Sequence, residues 1–475
     1  MRRDSNQEEG NDERDCMSVA ADVGNRLAEA IGTKRVVCAE EELAAYAIDG
    51  VAPSVIARPG SAEEAAEVVR FAIGEKLAVV TVGSRSKCDI GMAAERYDIA
   101  LDMTGLRGIA HYDAGDLTLS VDAGMPLREL ETILKDKGQF LPLAVPCFES
   151  TTVGGAIASG IDSAMRMQYG SARDFVIGAE FVDGTGQLCK SGGRVVKNVT
   201  GYDLHKLLIG SLGTLGAITR VNFRTFPLAE ACGGHLACFS TMESALEYQK
   251  KVEKSGLPLA NLEVFGPSIV AMIRAILEKS GEAAGELQSE QWCAYSSFEG
   301  SEEVVRRIER ELETLARMVG ATKERVLENG EDVALGGMLR EAYEWLRWGA
   351  PATVICRLAL VGVQAKTLQE LAEAAGSSGL RGGLLLRASG ILYFAVFAKS
   401  EDEQAIESLA KTVVAAQSIA RANGGSATLL HAPLEVKKRS ATNVVCGIDL
   451  NLQRRVKQAF DPSGVFAPGR VVGGI

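Results

Sequence analysis

Three glycine-rich segments between Thr81 and Thr219 constrain the fold of this chain more than any other feature. The first is Thr81-Val82-Gly83-Ser84-Arg85-Ser86-Lys87, the second runs from Thr151 to Gly160, and the third from Gly192 to Thr219. Each lies at the end of a predicted strand or helix, where a missing side chain lets backbone approach backbone or ligand. Together they predict one elongated ligand that is cradled by main-chain atoms.

The first two segments also have a simpler explanation. The first has neither the Walker spacing nor the Rossmann glycine pattern, so it predicts either an ordinary turn or a nest of amides for a pyrophosphate. If the first segment is a nest for a pyrophosphate, Arg85 or Lys87 adds positive charge to it. The small residues of the second segment fit close helix–sheet packing as well as a ligand wall.

Composition and charge exclude several classes of protein. Of the 475 residues, 47% are hydrophobic and 24% charged, which excludes a disordered, collagen-like or coiled-coil chain. The net charge of −11 and an aromatic content of 5% argue against binding to nucleic acid. No apolar run approaches the ~20 residues of a membrane span. The polar start has no signal-peptide core, so we expect a disordered tail over 1–17 (with Met17 as an alternative start) and a cytoplasmic protein.

The ten cysteines are scattered, and no two have the C-x-x-C spacing. Structural zinc and iron–sulfur sites usually show such clusters. The sequence therefore predicts no metal site in this chain.

The periodicity predicts an α+β chain with a boundary near residue 230. Strands at 54–58 and 78–82 flank a helix at 62–73 that Ser61 and Glu64 cap, which predicts a parallel pair. Asp183-Gly184-Thr185-Gly186 predicts a hairpin between 176–182 and 187–190. From 231 to 435, strands and helices predict a second α+β unit with an antiparallel sheet, and 449–460 a closing helix.

At the third segment the sequence resembles a known family. Lys-Asn-Val-Thr-Gly-Tyr-Asp-Leu at 197–204, Gly-Ser-Leu-Gly-Thr-Leu-Gly-Ala-Ile-Thr at 210–219, and the stretch Phe460–Arg470 are similar to FAD-linked oxidases of the vanillyl-alcohol oxidase/p-cresol methylhydroxylase type. Within that family the chain most resembles the FAD-binding subunit of bacterial glycolate oxidase. The resemblance covers about residues 50–228 and 440–470 well and the intervening part loosely.

The resemblance implies a two-subdomain FAD-binding fold with an α+β cap. The implied division is an FAD-binding domain at 18–230, a cap or substrate domain at 231–435, and a return to the FAD domain at 436–475. The implied contacts with FAD are Val82, Gly83, Ser84, Arg85, Ser86 and Lys87 at the pyrophosphate, Pro146, Thr152, Gly154, Gly155, Ser159 and Gly160 along the ribityl–diphosphate path, and Gly213, Gly216 and Ile218 at the adenine or flavin end.

The chain departs from the family pattern in its first segment. Ser84 and Arg85 replace two glycines, and a positive φ at either position costs on the order of 1–2 kcal/mol. Contact of Arg85 with a phosphate would offset that cost. Ser150 and Thr151 occupy the position where relatives carry a flavin-tethering residue, so we expect non-covalent FAD.

The catalytic side also departs from the family. Catalytic relatives have an H-x-G-D-G-N-x-H stretch, and the corresponding segment here, 424–431, keeps only His431. His431 is the candidate base, whereas His111, His205 and His235 fit ordinary surface or hydrogen-bonded histidines better. Arg347 is the candidate for a substrate carboxylate, with a salt bridge inside the cap as the alternative.

Taken together, these features predict the FAD-binding subunit of a glycolate (2-hydroxy acid) oxidase complex. The expected partners are an iron–sulfur subunit and a second flavoprotein subunit, with the complex cytoplasmic or held peripherally at the membrane. A self-sufficient FAD-dependent D-2-hydroxy acid dehydrogenase is one alternative, and a scaffold that has lost its flavin is the other. The sequence does not identify the substrate, the acceptor or the oligomeric state.

Overall fold

The computed structural model describes residues 22–194, 201–280, 287–288, 290–327, 330–387, 390–440 and 450–471. The predicted tail at 1–17 and the quoted motif residues 197–200 lie outside these ranges.

The first sheet has four short strands. The two strands that were predicted as a parallel pair run parallel, but they do not pair with each other, because another strand lies between them. The strands are β1 (Val36–Val37), β2 (Val55–Ala57), β3 (Val79–Val82) and β4 (Ile99–Asp102), in the order β1-β2-β4-β3. β2 and β3 are both parallel to β4, which lies between them. The sequence analysis missed β4, a four-residue buried strand that follows a long loop.

The helix that connects β2 to β3 begins as predicted. The helix at 22–31 (α1) and α2 (Glu40–Ala44) precede it, and α3 spans Ala62–Glu75. The Ser61 hydroxyl accepts a hydrogen bond from the Glu64 amide, and the Glu64 carboxylate accepts one from the Gly60 amide. These bonds satisfy two amides that a helix start leaves free, which explains why α3 begins at Ala62.

The second sheet is antiparallel and contains the predicted hairpin. Its strands are β5 (Ile109–Asp113), β6 (Thr118–Asp122), β8 (Val176–Val182), β9 (Leu188–Gly192) and β10 (Ala217–Arg224), in the order β5-β6-β10-β8-β9. β8 and β9 form the hairpin across Asp183–Gly186. The short strands β7 (Gln139–Phe140) and β11 (Phe226–Pro227) pair separately. The connecting helices are α4 (Leu127–Lys135), α5 (Val153–Ser159), α6 (Arg166–Tyr169), α7 (Ala172–Phe175) and α8 (His205–Leu208).

The third sheet, the cap sheet, has eight antiparallel strands, as the sequence predicted for this region. They are β12 (Ala231–Phe239), β13 (Leu259–Phe265), β14 (Trp292–Gly300), β15 (Lys323–Leu327), β16 (Ala352–Ala359), β17 (Arg381–Arg387), β18 (Ile391–Ala398) and β19 (Ser426–His431). Their order is β15-β12-β14-β13-β17-β18-β16-β19. The helices of this region are α9 (Met242–Ser255), α10 (Pro267–Ser280), α11 (Glu302–Met318), α12 (Glu331–Arg340), α13 (Ala342–Arg347), α14 (Ala365–Ser377), α15 (Glu403–Ala422) and α16 (Leu434–Ser440). The sequence analysis missed β15, α10, α12, α13 and α16.

The two faces of the cap sheet have different neighbours. One face packs in an apolar cluster with α9, α11, α14 and α15. The other face packs with α10, α12 and α13, and this cluster also includes Ile90 and Ile161 from the glycine-rich part of the chain. The second face therefore meets the loops that carry the first two glycine segments.

The last described residues return to the first sheet. Helix α17 (Leu450–Phe460) is followed by a segment in which the Val465 carbonyl accepts from the Val79 amide (2.7 Å) and the Ala467 amide donates to the Val79 carbonyl (2.8 Å). This segment continues the sheet beside β3, and Phe466 is fully buried there.

We expect Phe466→Ala to lower the free energy of unfolding by about 3–5 kcal/mol, because it removes a fully buried ring and leaves a cavity. Urea denaturation followed by circular dichroism measures the change. Val361→Ala is the matched control, since Val361 is 80% exposed and its truncation should cost little. Equal stability of the two variants would show that the returning segment does not support the sheet.

Candidate functional site

The three glycine-rich segments meet in one cleft, the glycine cleft. It consists of two adjoining hollows with empty volumes of about 360 and 520 Å³ that share Thr81, Val82, Gly83, Thr152, Gly155 and Ala158. Met103, Ala123, Gly154, Gly213, Gly216 and Ile218 complete the first hollow, and Val80, Ser84, Arg85, Ser86, Lys87, Cys88, Ser159, Leu212 and Arg470 the second. The structure thus brings together thirteen of the fifteen residues that were expected to contact a cofactor.

Glycine is required where these segments touch. A Cβ on Gly83 would lie well inside van der Waals contact of the Thr152 hydroxyl, and a Cβ on Gly213 would do the same to the Thr81 hydroxyl. Gly213 also has a φ of 72°, in the left-handed region. Close packing therefore holds the three segments together at these positions.

Pro146 and Gly160 do not line the cleft, contrary to the expectation. The Pro146 carbonyl accepts a hydrogen bond from the Thr151 hydroxyl at 3.2 Å. Gly160 ends α5 with a φ of 60°, and a Cβ there would lie 2.6 Å from the Cα atom of Gly210. Both residues shape the wall of the cleft from behind.

Arg85 is the strained substitution in the first segment. Its φ is 64°, whereas Ser84 has no positive φ. The exposed Arg85 side chain lies over the ring of Tyr46, with Cζ 4.0 Å from the ring centroid. Contact with this aromatic face offsets part of the backbone cost, and Arg85 also lines the second hollow.

Two buried cations line the second hollow, and among the described residues neither has a carboxylate within ion-pair distance. Lys87 is 8% exposed, and its ammonium donates to the hydroxyls of Thr151 and Ser86. Arg470 is 4% exposed; its Nη2 donates to the Cys88 and Ile90 carbonyls (both 2.6 Å), while Nε and Nη1 have no hydrogen-bond partner. Burial lowers the pKa of Lys87 to about 8. A buried, unpaired cation is costly, so the hollow fits an anionic ligand such as a diphosphate.

The sequence analysis missed Arg470 as a site residue. The available signal was its position at the end of Phe460–Arg470, the stretch that carried part of the family resemblance.

The two candidate catalytic residues converge on Asp89. The Asp89 carboxylate contacts His431 Nδ1 at 2.7 Å, accepts from the Tyr343 hydroxyl at 2.8 Å, and lies 3.6 Å from Arg347 Nη1. We call these four residues the Asp89 cluster. Burial by itself would raise the pKa of the Asp89 carboxyl, but His431, Tyr343 and Arg347 together hold it below its usual value. Asp89 is therefore ionised and accepts the Nδ1 proton of His431.

The Asp89 cluster joins three parts of the fold. Asp89 follows Lys87 by two residues, Tyr343 and Arg347 lie on α13, and His431 ends β19. Arg347 also pairs with Glu344 at 2.8 Å, which agrees with the salt-bridge alternative for this residue. Asp89 and Tyr343 carried no signal in the sequence, because their partners are at least 254 residues away.

The other histidines lie apart from the cleft lining. His205 Nδ1 is 3.1 Å from the Ser191 hydroxyl, and burial lowers the pKa of this ring. His235 is fully buried beside the Tyr248 hydroxyl (3.3 Å), and burial lowers its pKa to about 4. His111 lies within β5.

Within the described ranges, no group of three or more histidine, cysteine or acidic side chains is placed to hold a metal ion. No helix in the described part of the chain is both long and apolar enough to cross a bilayer.

Comparison with known families assigns both parts of the chain. The family pattern described as "FAD binding domain" matches residues 53–192. The pattern described as "FAD linked oxidases, C-terminal domain" matches residues 235–471.

Two curated relatives match only part of the chain. Glycolate oxidase subunit GlcE of Escherichia coli is 39% identical over 166 residues, which is 35% of this chain and 47% of that protein. D-2-hydroxyglutarate dehydrogenase of Xanthomonas citri is 36% identical over 172 residues, or 36% of each chain. The matched region thus spans about half of the first relative and about a third of the second. D-lactate dehydrogenase of Archaeoglobus fulgidus is 26% identical over 423 residues, covering 88% of this chain and 91% of that protein.

Solved structures share the fold. A substrate-bound p-cresol methylhydroxylase superposes with a TM-score of 0.74 at 15% identity, covering 95% of this chain and 96% of the other. A 4-ethylphenol oxidase from Gulosibacter chungangensis has a TM-score of 0.73 at 14% identity, covering 95% and 97%. With both parts of the chain matched and its three glycine segments enclosing one cleft, the protein belongs to the FAD-linked oxidases and has the fold of p-cresol methylhydroxylase.

Proposed function

We propose that this chain is the FAD-binding subunit of a 2-hydroxy acid oxidase complex of the glycolate type and passes electrons to a partner. The observation that carries the proposal is the pair of buried, unpaired cations in the glycine cleft, Lys87 and Arg470. They give an extended dinucleotide a positive wall in an otherwise acidic chain. The similarity to glycolate oxidase subunit GlcE and to D-2-hydroxyglutarate dehydrogenase supports the substrate class.

Different residues of the cleft contact different parts of the cofactor in this proposal. Val82 to Lys87 and Arg470 face the diphosphate side, where amides and cations favour an anion. Thr152, Gly154, Gly155 and Ser159 line the path between the two ends, and Gly213, Gly216 and Ile218 line the first hollow. When bound, FAD supplies the hydride acceptor that oxidation of an alcohol requires. No cysteine or histidine lies at 150–152, which favours non-covalent binding.

The Asp89 cluster supplies the acid–base chemistry in this proposal. Ionised Asp89 fixes His431 with its proton on Nδ1, so Nε2 carries the lone pair. Nε2 then accepts the proton of the substrate hydroxyl while the hydride leaves the carbon that carries this hydroxyl. Arg347 and Tyr343 keep Asp89 ionised and in place, so they act through Asp89 on His431.

A partner is proposed because the electrons must leave the reduced flavin. An iron–sulfur subunit and a second flavoprotein subunit fit this need, with the complex in the cytoplasm or peripheral at the membrane. The self-sufficient alternative is favoured by the match to D-lactate dehydrogenase over 91% of that protein's length. Turnover of glycolate or D-lactate by the isolated chain with an artificial acceptor, at the rate of the native complex, would establish that alternative.

The purified chain should show flavin absorption bands that acid releases into solution. Arg470→Met should weaken FAD binding at least tenfold, because it removes a buried cation from the anion site. Titration of the apoprotein, followed by quenching of flavin fluorescence, measures the affinity. Arg306→Met is the control, since that side chain is 69% exposed on α11. A wild-type chain that stays colourless after incubation with FAD would support the scaffold alternative.

Asp89→Asn should slow reduction of the bound flavin by a 2-hydroxy acid by about 10²–10⁴-fold, because the amide no longer orients His431 as a base. Anaerobic stopped-flow bleaching of the flavin measures this half-reaction without a partner. Asp22→Asn, at an exposed ion pair with Arg26, serves as the control. An unchanged rate in Asp89→Asn would remove His431 from the mechanism.

A further inference from the structure

The loop that follows β3, residues 83–90, contributes a run of amides to the glycine cleft. Ser84, Arg85, Ser86 and Lys87 line the second hollow, and none of their four amides donates to a backbone carbonyl of the described residues. Successive amides without such a partner can bind an anion. Arg85 has a left-handed φ of 64°, a conformation that persists only where surrounding contacts impose it. The loop therefore needs support from outside the cleft.

That support comes through three consecutive carbonyl groups near the end of the loop. Arg470 Nη2 donates to the carbonyls of Cys88 and Ile90, at 2.6 Å each. Lys437 Nζ donates to the carbonyl between them, that of Asp89, at 2.7 Å. Two buried cations from the part of the chain that follows the cap sheet thus hold this loop by its carbonyls.

Lys437 has no donor left for a ligand. Its side chain is 1% exposed, and it also donates to both carboxylate oxygens of Asp49, at 2.7 and 3.0 Å. An ammonium has three N–H donors, so Asp49 and the Asp89 carbonyl use all of them. Arg470, in contrast, lines the second hollow and keeps Nε and Nη1 without a hydrogen-bond partner among the described residues. Lys437 therefore acts on the loop, whereas Arg470 is available to the ligand.

The contacts of Lys437 join the loop to two other parts of the fold. Asp49 lies three residues after Tyr46, whose ring lies beneath Arg85 nearer the start of the loop. Lys437 itself belongs to α16, which lies against α15 of the cap. One short segment before β2 thus supports the loop at two points, and α16 ties the loop to a helix of the cap.

We propose that Lys437 is a positioning residue for FAD, which holds loop 83–90 in the shape that binds the diphosphate. Its hydrogen bond to the Asp89 carbonyl does this, while the Asp49 carboxylate compensates the buried charge. Retention of FAD then depends on the docking of α16, a helix that lines neither hollow of the cleft. This inference rests on the proposed assignment of the loop to the diphosphate.

Lys437→Met in the FAD-loaded chain should raise the dissociation constant of FAD about tenfold or more, because the loop loses a charge-assisted hydrogen bond on its carbonyl side. Titration of the apoprotein with FAD measures the affinity, and the rise of flavin fluorescence after dilution measures the release rate. Lys438→Met is the matched control, since it removes the same charge from the next residue of α16, where the side chain is 59% exposed.

Asp49→Asn separates positioning from stability. The amide oxygen can still accept from Lys437, and asparagine tolerates the left-handed φ of 51° at this position, but the buried ammonium loses its counter-charge. Urea denaturation of the apoprotein should therefore show a loss of stability in Asp49→Asn, while its affinity for FAD stays close to the wild-type value. With a purely structural Lys437, the loss of FAD affinity would follow the loss of stability in both variants.

Unchanged FAD affinity and release in a folded Lys437→Met would overturn the inference, and so would an equal loss of affinity in Asp49→Asn. If Lys437→Met does not fold by circular dichroism, it is combined with Asp49→Asn, which removes the orphaned carboxylate, and is compared with Asp49→Asn alone. A double variant that also fails to fold would assign Lys437 to folding and end the proposal.

The same measurements distinguish this inference from the proposed site. If Arg470→Met weakens FAD binding while Lys437→Met does not, the diphosphate site stands and only the role of Lys437 is wrong. A wild-type chain that binds no FAD would refute the site itself, before any variant is compared.

Discussion

The glycine cleft depends on backbone segments that approach each other more closely than side chains allow. At Gly83 and Gly213 a single Cβ would collide with a threonine hydroxyl of the neighbouring segment. Strand β3, helix α5 and the loop before β10 can therefore share one wall only because these positions have no side chain. Lys87 and Asp89 lie on the loop that follows β3, and Arg470 lies on the returning segment that pairs with β3.

Much of the fold was predictable because its signals are local. The Ser61–Glu64 cap and the Asp183–Gly186 turn each depend on a few neighbouring residues. β4 was missed because a four-residue buried strand has no periodicity to distinguish it from a loop. Helices α12 and α13 were missed for a related reason: they are short and pack through a few residues against the inner face of the cap sheet.

The candidate site also contains residues that the sequence indicated and residues that it did not. The glycine segments were visible in the sequence because one residue type repeats over a short stretch. Asp89, Tyr343 and Arg470 were not, because each matters only through partners that the fold brings from more than 250 residues away. Arg85 illustrates a different limit: the sequence indicated a strained position, but not that Tyr46 would lie beneath it. Side-chain direction is set by tertiary packing, which no local pattern encodes.

The return of residues 465–470 to the first sheet has a consequence for biosynthesis. The backbone of Val79 forms hydrogen bonds with a segment almost 400 positions later in the chain. Arg470 lines a hollow whose other lining residues all precede residue 213. A nascent polypeptide on the ribosome can fold its cap sheet while the nucleotide pocket is still open along one edge. Capture of the cofactor is thus coupled to synthesis of residues 465–470, and products that terminate before them would lack both the sealing strand and a cation of the pocket.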